Sequence, residues 1–203
     1  LRVSGIELDE ARRRLLYKLS EERAKLPDRK EGDFPEAPRI APAPHLPAIN
    51  FSFQTAAQMT PELAALCPEC VYVPLELLAE NPSVADAFRE NGAEIVAALP
   101  SVAFGEKEES ELRALLAKVH ESGVTQALTG NLGLAMMAGQ EGFRIRGDFD
   151  LAVMNSYTLS GMASAGFLSA MLSPELTFAD IREMPKCMDA ELAIYGRLPV
   201  MVT

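Results

Sequence analysis

The sequence predicts an α/β fold, a compact or imperfect (β/α)8 TIM-like barrel with an N-terminal helix and a Pro-rich linker before it. After residue 48, short apolar segments alternate with longer segments of helical period, a pattern typical of parallel sheets with right-handed crossovers. The predicted strand–helix units are shorter than those of a usual barrel, which takes about 250 residues in all. An open doubly wound sheet is the alternative, but no Gly-x-Gly-x-x-Gly follows the first strand.

Residues 1–26 are predicted to form one amphipathic helix, with Ser4 or Asp9 available as its N-cap. Its apolar side chains recur at helical spacing, at Leu8, Ala11, Leu15 and Leu19. Residues 27–48 are rich in proline and are predicted to form an extended linker. The third region, 49–203, is the predicted barrel domain.

The barrel domain is predicted to alternate strands with helices along its whole length. The predicted strands are 49–53, 71–75, 94–99, 124–129, 143–147, 167–172 and 192–195, with an eighth at 200–203. The predicted helices lie near 56–65, 82–91, 107–121, 131–141, 155–165 and 177–185.

The composition and charge of the chain argue against two classes of binding partner, membranes and nucleic acids. The chain is 48% apolar and 24% charged, without a run of about 18 apolar residues, so no membrane association is predicted. Residues 1–40 hold ten Lys/Arg against nine Asp/Glu, which leaves nine against twenty in the remainder. Because such an acidic surface repels phosphate backbones, direct nucleic-acid binding by this chain is not expected.

The three cysteines are an odd number in a chain of this length, which favours a reducing, cytoplasmic location. Cys67 and Cys70 have redox or zinc spacing, but no second pair accompanies them and neither histidine lies at ligand spacing. No metal site is therefore predicted here. The start without Met and the β-branched run at the end predict that the natural protein is longer.

Candidate functional residues follow from the barrel, since barrel enzymes place their sites at the carboxyl ends of strands. Asp148 follows the fifth predicted strand and Glu175 the sixth, so both are predicted to be catalytic as a carboxylate pair, for metal binding or acid-base chemistry. A turn and a helix entry are their structural alternatives. Asn131, Asn155 and Arg197 are predicted to bind substrate, with N-capping as the alternative for the two asparagines.

Four short motifs occur in order in the C-terminal third: Gly-Asp-Phe at 147–149, Asn-Ser at 155–156, Leu-Ser-Pro-Glu-Leu at 172–176 and Glu-Leu-Ala-Ile-Tyr-Gly-Arg-Leu-Pro at 191–199. With them, most of the region 49–203 resembles the collagenase-like peptidases of family U-32. The family signature, Glu-x-Phe-x-x-Gly-x-Leu-Cys, is matched at Glu191, Gly196 and Leu198. Ala193 stands where the family has Phe, and Pro199 where it has Cys.

The resemblance implies a peptidase of undefined mechanism that acts on collagen-like substrates, with Asp148 and Glu175 catalytic and Glu191 in substrate binding. No Ser/His, Cys/His or zinc set for peptide hydrolysis stands out in the sequence. The alternative is a companion domain of an oxygen-independent RNA or quinone hydroxylase, non-catalytic alone, that shapes the substrate groove. An iron-sulfur cluster would then belong to the full-length protein and is not expected in this chain. The implied partners are preceding domains of the same chain and a peptide or RNA substrate.

Overall fold

The computed structural model describes residues 4–26, 32–33, 36 and 47–197. The chain divides into two compact units, Leu1–Glu36 and Ala37–Thr203. Most of the predicted linker and the predicted eighth strand at 200–203 lie outside the described residues, so those two predictions are not addressed by the structure.

The first unit contains one helix, α1 (Gly5–Ala24), as the apolar spacing predicts. Ser4 is its N-cap: the Ser4 hydroxyl accepts a hydrogen bond from the Glu7 amide at 3.3 Å, and the Glu7 carboxylate accepts one from the Ser4 amide at 2.8 Å. This reciprocal capping box satisfies two amides that a helix start otherwise leaves unpaired. No residue of α1 is buried, so the predicted apolar stripe is exposed.

The second unit is built on a parallel sheet of seven strands in the order in which they occur along the chain. The strands are β1 (Phe51–Ser52), β2 (Cys70–Pro74), β3 (Glu94–Ala98), β4 (Gln126–Thr129), β5 (Arg144–Gly147), β6 (Ser169–Met171) and β7 (Asp189–Glu191). A doubly wound sheet reverses its strand order at a switch point, so the sequential order excludes that alternative.

Helices connect the strands. They are α2 (Pro61–Ala64), α3 (Leu75–Glu80), α4 (Asp86–Glu90), α5 (Gly105–Glu121), α6 (Leu132–Gln140), α7 (Ser156–Ser164) and α8 (Phe178–Glu183). Short 3₁₀ turns occur at Ala56–Gln58, Pro82–Ala85 and Phe149–Leu151. Most predicted elements are found within a few residues of their predicted ends, but α3 was not predicted: Leu75, placed at the end of a strand, begins this helix.

The position predicted for the seventh strand is wrong. The segment 192–195 is apolar in sequence, yet Ile194 and Tyr195 are exposed, and the strand that pairs with β6 is Asp189–Glu191. An apolar run predicts a strand only when both faces of that strand meet apolar neighbours. In β7 one face instead meets polar side chains, so its sequence does not look like that of a buried strand.

The two faces of the sheet differ in character. Outward-facing residues of β2 to β5 pack against the helices in one apolar core that includes Val71, Val73, Ile95, Ala127 and Ile145. The alternate residues face inward, because successive side chains of a strand point to opposite faces. They include a small apolar group around Val96 and Leu128, together with polar side chains described below.

The sheet is curled, and side chains from its two ends are in contact. Asn50, which immediately precedes β1, donates from Nδ2 to Glu191 Oε2 on β7 at 2.8 Å. Strands lie about 4.8 Å apart, so a flat sheet of this size would separate its first and last strands by roughly 29 Å. The fold is therefore α/β with a curled parallel sheet, which agrees with an imperfect barrel but does not establish eight units.

No helix among the described residues combines the length and the apolar character that crossing a membrane requires. The cytoplasmic location stays a prediction.

Candidate functional site

The inner face of the curled sheet carries a group of connected polar side chains, which we call the inner polar cluster. Its members come from the segment before β1 and from β2, β4, β5, β6 and β7: Asn50, Tyr72, Gln126, Arg146, Ser169 and Glu191. Barrel interiors are usually filled by Val, Ile and Leu. A polar interior in this fold therefore indicates a functional or a register-setting role.

Glu191 is the centre of the inner polar cluster, and its side chain is only 13% exposed. Its Oε1 accepts from Ser169 Oγ at 2.5 Å and from an Arg146 guanidinium nitrogen at 3.0 Å. Its Oε2 accepts from the Tyr72 hydroxyl at 2.5 Å and from Asn50 Nδ2 at 2.8 Å. The four donors lie on four different segments of the sheet, so this one carboxylate ties both ends of the sheet together.

Arg146 balances the Glu191 charge. Its side chain is 14% exposed, and it also donates from Nε to Gln126 Oε1 at 2.8 Å and from Nη1 to Ser169 Oγ at 3.1 Å. A buried guanidinium is stable only when it is paired and hydrogen-bonded. Gln126 and Ser169, both buried, supply partners that Glu191 alone does not.

The inner polar cluster shifts the pKa values of its members. Burial raises the pKa of Glu191, but the hydrogen bonds from Ser169, Tyr72 and Asn50 and the charge of Arg146 outweigh burial, so its pKa lies below the usual value. Burial, and then the adjacent Glu191 charge, hold the pKa of Tyr72 well above its ordinary value. Glu191 is therefore ionised and Tyr72 is a neutral hydrogen-bond donor at neutral pH.

A cleft of about 860 Å³ opens at the carboxyl ends of the strands. Every strand contributes a lining residue at its end or shortly after it: Ser52, Pro74, Ala98, Leu128, Asp148, Met171 and Ala193. The charged side chains of the lining are Glu76, Asp148, Asp150 and Arg197. Tyr72 also lines the cleft, and its hydroxyl donates to Glu191, so this side chain belongs to both the cleft and the inner polar cluster.

Asp148 lines this cleft directly after β5 and is half-buried. Its Oδ1 accepts from the Phe149 amide at 2.8 Å. Burial raises the pKa of Asp148, the Phe149 amide opposes that effect, and the charges of Asp150 and Glu191 raise the pKa further. A carboxyl with a raised pKa in a cleft is typical of groups that transfer protons.

The turn after β5 holds Asp148 and Asp150 in position. Ala152, which ends the 3₁₀ turn, has φ 49°, a left-handed conformation that is costly for a residue with a side chain. A Cβ on Gly130 would lie 2.4 Å from Asp150 Cβ, so only glycine at that position lets the turn approach the end of β4 this closely.

The structure separates the other predicted site residues. Arg197 is exposed and lines the cleft. Glu175 is exposed in the turn after β6, where its amide donates to Ser173 Oγ at 3.3 Å, and among the described residues that line the cleft it does not appear. The structure thus places Asp148 in the cleft and Glu175 in a turn; the catalytic role predicted for each stays a prediction.

The two predicted asparagines are N-caps. Asn131 Oδ1 accepts from the Gly133 and Leu134 amides at the start of α6. Asn155 Oδ1 accepts from the Tyr157 and Thr158 amides at 3.0 and 2.9 Å at the start of α7. Side-chain oxygens engaged in this way satisfy helix-start amides, and substrate binding by either residue stays a prediction.

Five members of the inner polar cluster were missed from the sequence: Asn50, Tyr72, Gln126, Arg146 and Ser169. A signal for three of them exists, because Gln126, Arg146 and Ser169 are polar residues within the short strands Gln-Ala-Leu-Thr, Arg-Ile-Arg-Gly and Ser-Ala-Met. A parallel strand buried on both faces is normally a continuous apolar run. A polar residue inside such a strand therefore indicates a polar inner face.

The environments of the three cysteines are unlike those of iron-sulfur ligands. Cys67 is exposed, Cys70 is buried on the inner face and Cys187 is half-buried. Burial raises the pKa of the Cys70 thiol to about 11, which opposes the thiolate form that binds iron. In the part of the chain that the structure describes, no three His, Cys, Asp or Glu side chains are arranged to hold a metal ion, so these residues do not fit a cluster.

The fold and the cleft define a class of protein: an α/β protein with a curled parallel sheet and a polar cleft at the carboxyl ends of its strands. The family model described as Peptidase family U32 matches residues 77–203, more than half of the chain and including β3 to β7. The chain therefore belongs to Peptidase family U32. A search of curated proteins found no match.

Proposed function

We propose that the chain is a peptidase domain that hydrolyses peptide bonds in the cleft, with Asp148 as its general acid. The observation that carries this proposal is the position of Asp148: a half-buried carboxyl with a raised pKa in the lining of a cleft to which every strand contributes. Membership of Peptidase family U32 supports the substrate class.

The proposed chemistry uses two carboxyl groups in different states. Asp150 lines the cleft beside Asp148, and its charge is one of the effects that raise the pKa of Asp148. Burial favours the protonated form of Asp148, whereas Asp150 is exposed, so we assign the acid role to Asp148 and the base role to Asp150. Protonated Asp148 donates to the oxygen of the scissile carbonyl, and the Asp150 carboxylate takes a proton from the attacking water.

The intermediate that forms when water attacks the carbonyl carbon then breaks down. The C–N bond breaks, Asp150 returns its proton to the leaving amine, and Asp148 recovers its own proton from the former carbonyl oxygen. The products are a carboxylic acid and an amine, and both aspartates end in their starting states.

The lining of the cleft suits a peptide. A cleft of about 860 Å³ is within the usual range for ligand sites. Gln54, Gln58 and Ser52 offer hydrogen-bonding groups for a peptide backbone, and Ile194 and Tyr195 offer apolar contact surface. Arg197 is the cleft cation among the described residues, and we propose that it binds a substrate carbonyl or carboxylate.

We further propose that the sheet is an incomplete (β/α)8 barrel. Parallel pairing throughout, sequential strand order and the contact of Asn50 with Glu191 support this description. In that class of fold the site lies at the carboxyl ends of the strands, where the cleft opens here.

The test is hydrolysis of fluorescence-quenched peptides, including collagen-like sequences, by wild type and Asp148→Asn. We expect Asp148→Asn to lower kcat/KM by about 100-fold or more, because general acid-base groups contribute that much. Glu183→Gln, an exposed carboxylate on α8, is the matched control and should retain full activity.

Three results would change the proposal. Unchanged hydrolysis by folded Asp148→Asn would remove Asp148 from the mechanism. A loss in Glu175→Gln but not in Asp148→Asn would transfer the catalytic role to the turn after β6. Absence of hydrolysis in the wild type, with retained peptide binding, would instead favour a companion role without catalysis.

A further inference from the structure

The residues 192–195, which we call the rim segment, leave the sheet directly after β7 and form no strand. Their sequence, Leu-Ala-Ile-Tyr, includes a β-branched and an aromatic residue, the types that favour strands. Ile194 is nevertheless 83% exposed and Tyr195 is 100% exposed. Neighbouring large apolar side chains on a surface are typical of interaction sites.

The backbone of the rim segment is unpaired as well. Among the described residues, no group of the protein is hydrogen-bonded to a backbone N–H or C=O of residues 192–195. The last backbone hydrogen bond at this end of β7 runs from the Leu172 amide to the Glu191 carbonyl at 2.9 Å. Unpaired backbone groups on an exposed, apolar, strand-forming sequence are a template for pairing with another extended chain.

An open edge of β7 leads into the rim segment. In the described part of the chain, β7 pairs with β6 and no strand pairs with its other side. The Glu191 carbonyl bonds to the segment that continues β6, and backbone groups of successive residues point to opposite sides of a strand. The N–H and C=O groups of Ala190 therefore face the open edge. A chain that pairs with the rim segment can also pair with Ala190.

The rim segment is part of the cleft. Ala193, Ile194 and Tyr195 line the cleft together with Asp148, the proposed general acid. A peptide in the cleft therefore has the rim segment in its binding surface, and its own backbone N–H and C=O groups need partners where water is displaced. This continuity favours the substrate, over an unrelated partner, as the chain that covers the rim segment.

We propose that the rim segment binds the peptide substrate as an added β-strand. Backbone hydrogen bonds to Ala190 and the rim segment hold the peptide in an extended conformation, whatever its sequence. Ile194 and Tyr195 favour peptides that place β-branched or aromatic side chains opposite them. The substrate class is thus an extended, strand-forming peptide. This inference rests on the proposed function, because a peptide is the substrate there.

The experiment is amide hydrogen exchange, followed by NMR, on the wild-type chain alone and with excess peptide. The probe is a fluorescein-labelled peptide of alternating valine and threonine, flanked by lysines for solubility. We expect the amides of Ala190, Leu192 and Ile194, which alternate along one edge, to exchange at least about tenfold more slowly in the complex. Backbone hydrogen bonds protect amides from exchange, so this readout reports strand addition directly.

Fluorescence anisotropy measures the contribution of the peptide backbone. The same peptide methylated at every backbone amide cannot donate backbone hydrogen bonds. It should bind at least about tenfold more weakly, the effect expected from losing one or two hydrogen bonds. A proline-rich peptide of equal length lacks most of these donors and should bind as weakly as the methylated peptide.

Ile194→Ser and Tyr195→Ser test the side chains of the rim segment. Each should lower the affinity for the valine–threonine peptide about twofold to fivefold, because an apolar cross-strand contact is lost. Phe178→Ser on α8 is the matched control: Phe178 is 76% exposed and is not among the described residues that line the cleft. This control should bind the peptide with wild-type affinity.

Protection of the three alternate amides, together with weak binding of the methylated peptide, supports the inference. Peptide binding without this protection overturns it, and so does failure of the valine–threonine peptide to bind, because backbone pairing tolerates most sequences. Slow exchange of these amides in the free protein would show that the chain itself covers the edge. Protection that rises with protein concentration without peptide would show edge-to-edge pairing of two copies. Both of these results also overturn the inference.

Hydrolysis separates this inference from the proposed function. Protection of the rim segment by a peptide that the wild type never cleaves would leave the inference standing and the proposed function wrong. Hydrolysis that depends on Asp148, with no protection of the rim segment, would overturn the inference alone.

Discussion

A carboxylate and a guanidinium lie together on the inner face of the sheet, where a parallel barrel normally buries aliphatic side chains. The arrangement is satisfied because Ser169, Gln126 and Asn50 supply further hydrogen bonds. The surroundings of Glu191 and of Asp148 favour different protonation states of the two carboxyl groups. Glu191 is ionised by its donors, whereas burial favours the protonated form of Asp148.

Gly130 is predicted to control the position of Asp150. In Gly130→Ala the new Cβ would lie 2.4 Å from Asp150 Cβ, so the turn that carries Asp148 and Asp150 must shift. A displacement of about 1 Å at a reacting group costs about 100-fold in rate, so we expect kcat/KM for peptide hydrolysis to fall by that order. Steady-state kinetics measure the effect.

Gly139→Ala is the matched control for Gly130→Ala. A Cβ on Gly139, within α6, would meet no atom within 4 Å. Gly139→Ala should keep full activity and gain up to about 1 kcal/mol of stability, because alanine has a higher helix propensity than glycine. Equal activity of the two variants would show that the close approach at Gly130 has no role in the site.

Among the elements, the helix starts are determined by local sequence and the last strand is not. Ser4, Asn131 and Asn155 cap their helices through hydrogen bonds that involve residues within a few positions. The strand β7 depends on partners far along the chain, since Glu191 contacts Asn50 and Tyr72. A strand of that kind cannot be located by the apolar run that follows it.

Asn155→Ala is predicted to destabilise the protein by about 1 kcal/mol, the usual effect of removing an N-cap. The Tyr157 and Thr158 amides at the start of α7 lose the acceptor that they share. Urea unfolding measures the free-energy change, and Asn155→Asp should restore most of it, because aspartate caps equally well.

The same pair of variants tests the prediction that Asn155 binds substrate. If capping is its whole role, KM for peptide hydrolysis stays at the wild-type value in both variants. An increased KM in Asn155→Asp, at wild-type stability, would instead show that the amide group contacts the substrate.

Side chains of the inner polar cluster connect the two ends of the curled sheet. Glu191 on β7 contacts Tyr72 on β2 and Asn50 in the segment before β1. The family match covers residues 77–203, which include β3 to β7, whereas Asn50 and Tyr72 precede the matched region. This side-chain connection therefore depends on more of the chain than the family match spans.

Glu191→Ala is predicted to lower the free energy of unfolding by about 3–5 kcal/mol, because it leaves the buried Arg146 charge unpaired. The pKa of Glu191 is lowered in the folded protein, so the stabilisation by its carboxylate is fully present above the pKa that Glu191 has in the unfolded chain. That contribution disappears as pH falls through the lower, folded-state pKa.

Urea unfolding at several pH values measures this dependence. The difference in stability between wild type and Glu191→Ala should be largest near neutral pH and should shrink on acidification below the usual glutamate range. A difference that stays constant with pH would show that packing, and not the carboxylate charge, provides the contribution of Glu191. Glu10→Ala on α1, which removes an exposed ion pair, should change stability by under 1 kcal/mol.

The sequence by itself determined the α/β class, the helix α1 and its Ser4 cap, most strands of the sheet, the family and the place of Asp148 after β5. These features depend on periodicity, capping and motif order, which are properties of neighbouring residues. Only the tertiary structure decided the position of β7, the exposure of Glu175 and the inner polar cluster. Burial of Glu191 and Arg146 is tolerable only when partners from distant strands meet them, and local sequence does not specify which distant residues will meet.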